Sequence, residues 1–136
     1  MAQGKMVITD HKLFEEVEEA LNAYSSNVMS SFDGSDVGFD MVAFVPNEDE
    51  SKYSLLLSAY WLDDKEEFDV VDDLMPFLRQ NLKSEVYKVK NIAVIHTSDP
   101  IVQLVTSRFK NLKEEVVLTD LSIGSNHINK LIIWKS

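Results

Sequence analysis

Apolar positions along the chain recur with two periods, and each switch between them marks the border of an element. Leu13, Val17, Ala20, Leu21 and Tyr24 follow the spacing i, i+4, i+7, i+8, i+11, which predicts an amphipathic helix from Asp10 to Asn27 capped by Asp10. Glu15 and Glu16 then lie near the positive end of its dipole, and Glu18 and Glu19 on its outward side. Phe39, Met41, Ala43 and Val45 alternate with other residues, so Phe39 to Val45 is expected to be a strand. Tyr53 to Leu62 is almost continuously apolar, which predicts a second strand buried on both faces. The charged stretch between them, Pro46 to Lys52, suits an antiparallel hairpin.

A second helix is expected from Asp72, as N-cap, to Lys83, with Leu74, Phe77, Leu78 and Leu82 inward and Pro76 in the first turn. Asn91 to Ile95 then reads as the central, buried strand, delivering its carboxyl end to the polar corner His96-Thr97-Ser98-Asp99. Pro100 opens a third helix, to about Asn111, with Ile101, Leu104, Val105 and Phe109 inward and Arg108 and Lys110 in its last turn. Val116 to Ile123 and His127 to Trp134 pair as a closing hairpin around Gly124-Ser125-Asn126. The order α-β-β-α-β-α-β-β implies parallel crossovers with antiparallel additions. The expected fold is therefore one α/β (or α+β) layered domain with a mixed five-stranded sheet.

Composition narrows the picture without changing it. At 136 residues, 45% of them hydrophobic, the chain suits one globular domain with its own core. Residues 1–6 are expected to be a disordered tail or an expression remnant, and no apolar segment there resembles a secretory signal. No apolar run approaches the ~20 residues of a spanning helix, so a membrane partner is not expected and a cytoplasmic setting is the default. The absence of cysteine removes disulfides, thiolate nucleophiles and cysteine-based zinc sites.

Charge is distributed unevenly. Residues 1–75 carry 18 acidic and 4 basic side chains, a net of −14, whereas residues 76–136 carry 5 acidic and 9 basic, a net of +4. The densest run spans Asp63 to Asp73 and includes Asp63, Asp64, Glu66, Glu67 and Asp69. Part of it has a structural reason, because carboxylates are favoured at a helix N-terminus. The sharper expectation is that this surface meets a basic protein partner. Nucleic-acid binding is disfavoured by the net charge of −10; only Arg79, Lys83, Lys88 and Lys90 with Tyr87 argue the other way.

Candidate chemistry sits where parallel strands would end, since ligands of open α/β sheets bind beyond those carboxyl ends. If the strands ending at Leu62, Ile95 and Thr119 are parallel neighbours, Asp63, Asp64, His96, Thr97, Ser98, Asp99 and Asp120 converge. Asp63, Asp64 and Asp120 are then the candidate ligands for magnesium, and His96, Ser98 and Asp99 the candidate catalytic groups, in a phosphoester hydrolase. Against this, Asp99-Pro100 is an ordinary helix opening, and a histidine at a strand end is more often structural. Two acidic loops fail as calcium sites: the twelfth position is Phe44 counted from Asp33, and Ser58 counted from Asn47, where a glutamate is required. No G-x-S-x-G elbow, glycine-rich phosphate loop or H-x-x-x-H pair occurs. The leading expectation is a non-catalytic acidic adaptor or inhibitor, of the immunity-protein kind, with no cofactor. The magnesium-dependent hydrolase is the alternative, and a homo-oligomer joined through the oppositely charged halves is compatible with either.

Overall fold

In the computed structural model, α1 (His11–Met29) presents Leu13, Phe14, Val17, Ala20, Leu21 and Tyr24 to the interior, all buried. The structure describes residues 11–29, 39–47, 52–82, 88–109, 115–123 and 126–135. The expected Asp10 cap, the tail at 1–6, and the loops read at 30–38 and 48–51 lie outside them. Phe14 joins the helical stripe as its largest fully buried member. Its ring stacks on Phe44 at 4.1 Å and meets Tyr53 and Trp134 edge-on at 5.2 and 5.6 Å. Glu18 is not turned fully outward as expected, because its carboxylate accepts the Trp134 indole N–H at 2.7 Å and ties α1 to the last strand.

Strands β1 (Met41–Pro46) and β2 (Tyr53–Ser58) form the expected antiparallel hairpin, with Phe44 opposite Leu55. The Asn47 N–H donates to the Lys52 carbonyl at 2.8 Å and begins to close it. The second strand is shorter than its apolarity suggested. It stops at Ser58, and Tyr60–Leu62 is a 3-10 turn that buries Trp61 and Leu62. The Asp40 carboxylate accepts the Tyr60 N–H at 2.9 Å and so holds the entry of that turn.

Helix α2 (Glu67–Asn81) begins five residues before the expected Asp72, which places Pro76 in its interior rather than its first turn. The reason is the spacing of Val70, Leu74 and Leu78, which share one face and are all buried. An interior proline costs about 3 kcal/mol through the lost N–H. Burying one large aliphatic side chain contributes about 1.5–3 kcal/mol, so this face outweighs it. Strand β3 (Val89–Val94) follows and leads into α3 (Pro100–Arg108). Strands β4 (Val116–Ile123) and β5 (Asn126–Lys135) form the closing antiparallel hairpin.

The sheet is mixed and five-stranded, in the order β3-β2-β1-β5-β4, giving a single α+β domain. β2 and β3 are parallel, as the intervening α2 requires, and every other pairing is antiparallel. β3 is therefore an edge strand and not the centre; the centre is β1, flanked by β2 and β5. Alternation sends Val42, Phe44, Leu55, Leu57 and Ile132 to one face, under α1 and α2. Met41, Ala43, Leu131 and Ile133 go to the other face, where Ile101, Val102 and Val105 of α3 cover them.

Asp99 behaves as the sequence pattern predicts: its carboxylate accepts the Ile101 N–H at 3.0 Å, with Pro100 at the helix start. Asp99→Ala is expected to cost about 1 kcal/mol of stability, read as a lower denaturant midpoint. An unchanged midpoint would show that the proline alone starts α3.

Candidate functional site

The parallel pairing of β2 with β3 brings their carboxyl ends to one side, and Asp63 and His96 do meet there. Asp63 Oδ1 accepts the Thr97 N–H at 3.0 Å and its Oδ2 accepts the Thr97 hydroxyl. His96 Nε2 stands 3.8 Å from the same Oδ2. The Nδ1 of His96 takes the Ser98 N–H at 3.1 Å, with the Ser98 Oγ at 2.7 Å. A nitrogen that accepts from a backbone amide carries the lone pair, so the ring proton sits on Nε2, toward Asp63.

Ser98, His96 and Asp63 thus form a chain of contacts, but its geometry is that of a turn. The imidazole binds two groups of the residue two positions on, and the acid is anchored to the residue between them. His96 and Ser98 are exposed, and the Ile101 amide at the head of α3, a natural oxyanion donor, is given to Asp99. The corner fastens β3 to the end of β2 and starts α3.

Asp120 takes no part in it. It lies on β4, at the opposite edge of the sheet from β3. Four strand spacings of ~4.8 Å separate the two edges by roughly 19 Å, far beyond shared coordination. Its backbone has φ 52°, and its carboxylate is 4.0 Å from His127 Nε2. The expected convergence therefore holds for Asp63 and His96 and fails for Asp120. The cause is the order of the sheet, in which β4 enters through the hairpin with β5. Among the described residues, no three histidine or acidic side chains are grouped to hold a metal.

The acidic run is divided by the structure into parts with different work. Asp63 serves the corner just described. Glu67 reaches the outer side of β3, where its Oε2 accepts the Val94 N–H at 2.8 Å. Asp64, Glu66 and Asp69 turn the other way, toward α1, and join Asp73 around a groove of about 470 Å³ floored by Tyr24, Trp61 and Val70. Lys65 also lines it. Sequence reading placed Asp64, Glu66 and Asp69 in a partner-binding run that ended at Asp73, but missed Tyr24 and Trp61 as their companions. The helical spacing of 66, 69 and 73 on one side of α2 was the available signal, obscured by starting that helix at Asp72.

The Tyr24 hydroxyl donates to Asp73 Oδ2 at 2.7 Å. Burial first, then that hydrogen bond and the charge of Asp73, raises the Tyr24 pKa well above its ordinary value, so the phenol stays protonated. It holds Asp73 at the groove without adding a second negative charge.

A larger groove, about 610 Å³, lies on the α3 face between Val45, Leu56, Ala93, Ile95, Ile101 and Ile128, with Asp99, Asn91 and His127 among its polar lining. It is the more apolar of the two, and Asp99 there is engaged by α3. The smaller groove combines charge of one sign with an aromatic floor, and it is the better candidate site. Among the described residues, no helix is long and apolar enough to cross a membrane. Comparisons with protein-family models, curated proteins and solved structures found no match.

Proposed function

We propose that the protein is a non-catalytic interaction module whose acidic groove receives an arginine side chain of a basic protein partner. The observation that carries this reading is the convergence of Asp64, Glu66, Asp69 and Asp73 over Tyr24 and Trp61 in one groove. Carboxylates on several sides match the donors of a guanidinium, and charge-assisted hydrogen bonds are shorter and stronger than neutral ones. The aromatic floor offers apolar surface to the methylene stem. The −14 of residues 1–75 extends the attraction beyond the groove and steers a basic partner toward it. Lys65 opposes binding and favours a partner whose own carboxylate can meet it.

An amide-resolved NMR titration with an oligo-arginine peptide tests the location. Saturable shifts are expected at Asp64, Glu66, Asp69 and Asp73 and are expected to vanish in Asp69→Lys. Shifts confined to other surfaces, or unchanged in that variant, would refute the site. No specific observation favours the magnesium-dependent hydrolase over this reading, because Asp63 is engaged by Thr97 and Asp120 stands at the far edge.

A further inference from the structure

We propose that the corner between β3 and α3 is an acid-sensitive latch, in which protonation of the His96 ring turns the Thr97–Ser98 peptide and releases Gln103 of α3. The amides of Thr97, Ser98 and Asp99 follow the strand, and each has an acceptor. The Thr97 N–H donates to Asp63 at 3.0 Å, the Ser98 N–H to His96 Nδ1 at 3.1 Å, and the Asp99 N–H to the His96 carbonyl at 2.9 Å. Oxygen acceptors keep lone pairs whatever their charge, whereas an imidazolium has none. Histidine is also the side chain type that gains its proton between about pH 8 and about pH 5. Of these bonds, the one to Ser98 is therefore the bond that mild acid removes.

The proton enters on Nδ1, since Nε2 already carries one. Nδ1–H then meets the Ser98 N–H, donor against donor, and either the ring or the peptide must move. The ring is held on both sides. Its Nε2–H stands 3.8 Å from Asp63 Oδ2, an attraction that grows when the ring is charged. On the other side Ser98 Oγ, 2.7 Å from Nδ1, turns from donor to acceptor. Lys65 from the turn after β2 and Glu67 from α2 line the same small cleft, and Asp99 begins α3 beside it. Carboxylates from three elements against one ammonium keep the imidazolium in place. The peptide yields instead.

A peptide is planar, so the Ser98 N–H and the Thr97 carbonyl rotate together. That carbonyl is held from the first turn of α3, where Gln103 Nε2 donates to it at 2.7 Å. Turning the N–H toward solvent draws the carbonyl away from Gln103, so a single proton breaks a bond at each end of the plane. Asp63 still holds Thr97 and Asp99 still caps Ile101, which confines the change to the turn and leaves the helix intact. Asp99 and Ile101 also line the larger groove, so the latch sits in its wall.

NMR on the labelled full chain, from about pH 8 to about pH 5, tests it. The His96 ring, the Ser98 N–H and the Gln103 side-chain amide are expected to titrate with one midpoint. Exchange protection of the Ser98 N–H is expected to fall about three- to tenfold, the worth of one net hydrogen bond, while the Thr97 N–H stays protected. In His96→Gln, which takes up no proton, the Ser98 and Gln103 signals are expected to stay level over the same range. A Gln103 side chain indifferent to pH while the His96 ring titrates overturns the proposal. So does a response that persists in His96→Gln, which would assign it to another group.

Discussion

Phe14→Ala is expected to destabilise the protein by about 3–5 kcal/mol, the largest loss of any single truncation considered. Phe14 has no exposed surface and touches Phe44, Tyr53 and Trp134, residues from β1, β2 and β5. Removing the ring opens a cavity where α1 crosses the centre of the sheet, and three surrounding rings lose their shared partner. Each aromatic pair adds about 0.5–1.5 kcal/mol beyond area burial, so the cost belongs at the upper end of the range. Urea unfolding measures it. Phe14→Leu, which keeps most of the volume, should recover more than half of the loss. A loss below about 1.5 kcal/mol for Phe14→Ala would mean that α1 is not the main cover of this face.

Asp63→Ala is expected to cost about 2–3 kcal/mol, a large effect for a residue outside the core. Its carboxylate accepts both the amide and the hydroxyl of Thr97, in a partly buried site, and adds a side-chain tie to the backbone bond from Ile95 to Leu57 beside it. Hydrogen bonds to charged groups contribute about 1.5–3 kcal/mol each, and two on one carboxylate add less than their sum. His96→Ala should cost less than about 1 kcal/mol, the range of exposed polar contacts, because its ring is exposed and its partner Asp63 is held independently. Equal costs for the two variants would contradict this order of importance and assign the corner to the imidazole.

The periodic elements were legible because burial on one face leaves a period in the sequence. The apolar stripe of α1, the Asp99-Pro100 start of α3 and both hairpins follow from local rules alone. What misled was apolarity read as lateral position. Ile92 and Val94 pack against the α1–α2 core, and Ile95 packs on the α3 side, so β3 looks as hydrophobic as a central strand although, among the described residues, β2 is its one strand neighbour. Side-chain pattern reports which faces are covered and is silent about the hydrogen-bonding direction, which runs at right angles to it.

The same limit explains the candidate site. Asp63 and His96 could be placed together once β2 and β3 were taken as parallel neighbours. Asp120 could not be excluded, because strand order depends on which hairpin joins which edge. Asp40 caps a turn 20 residues away and carries no local signature of that role. In α2, Pro76 and Asp72 imitated a helix start, while the spacing of Val70, Leu74 and Leu78 set the real one. Correcting that start by five residues turns a featureless acidic run into three surfaces: the corner at Asp63, the groove at Asp64, Glu66 and Asp69, and the β3 edge at Glu67.

The groove as a receptor for a cationic side chain is most directly tested by the affinity of an oligo-arginine peptide at low and at physiological ionic strength. Calorimetry should be run on the wild type, Asp69→Lys and Phe68→Asp. Exposed charges are screened beyond ~8 Å at physiological salt, so wild-type affinity should fall steeply as salt is added. Asp69→Lys should lose about tenfold or more, and Phe68→Asp, on the opposite flank of α2, should bind at least as well as the wild type. An affinity indifferent to salt and to Asp69→Lys would contradict the account.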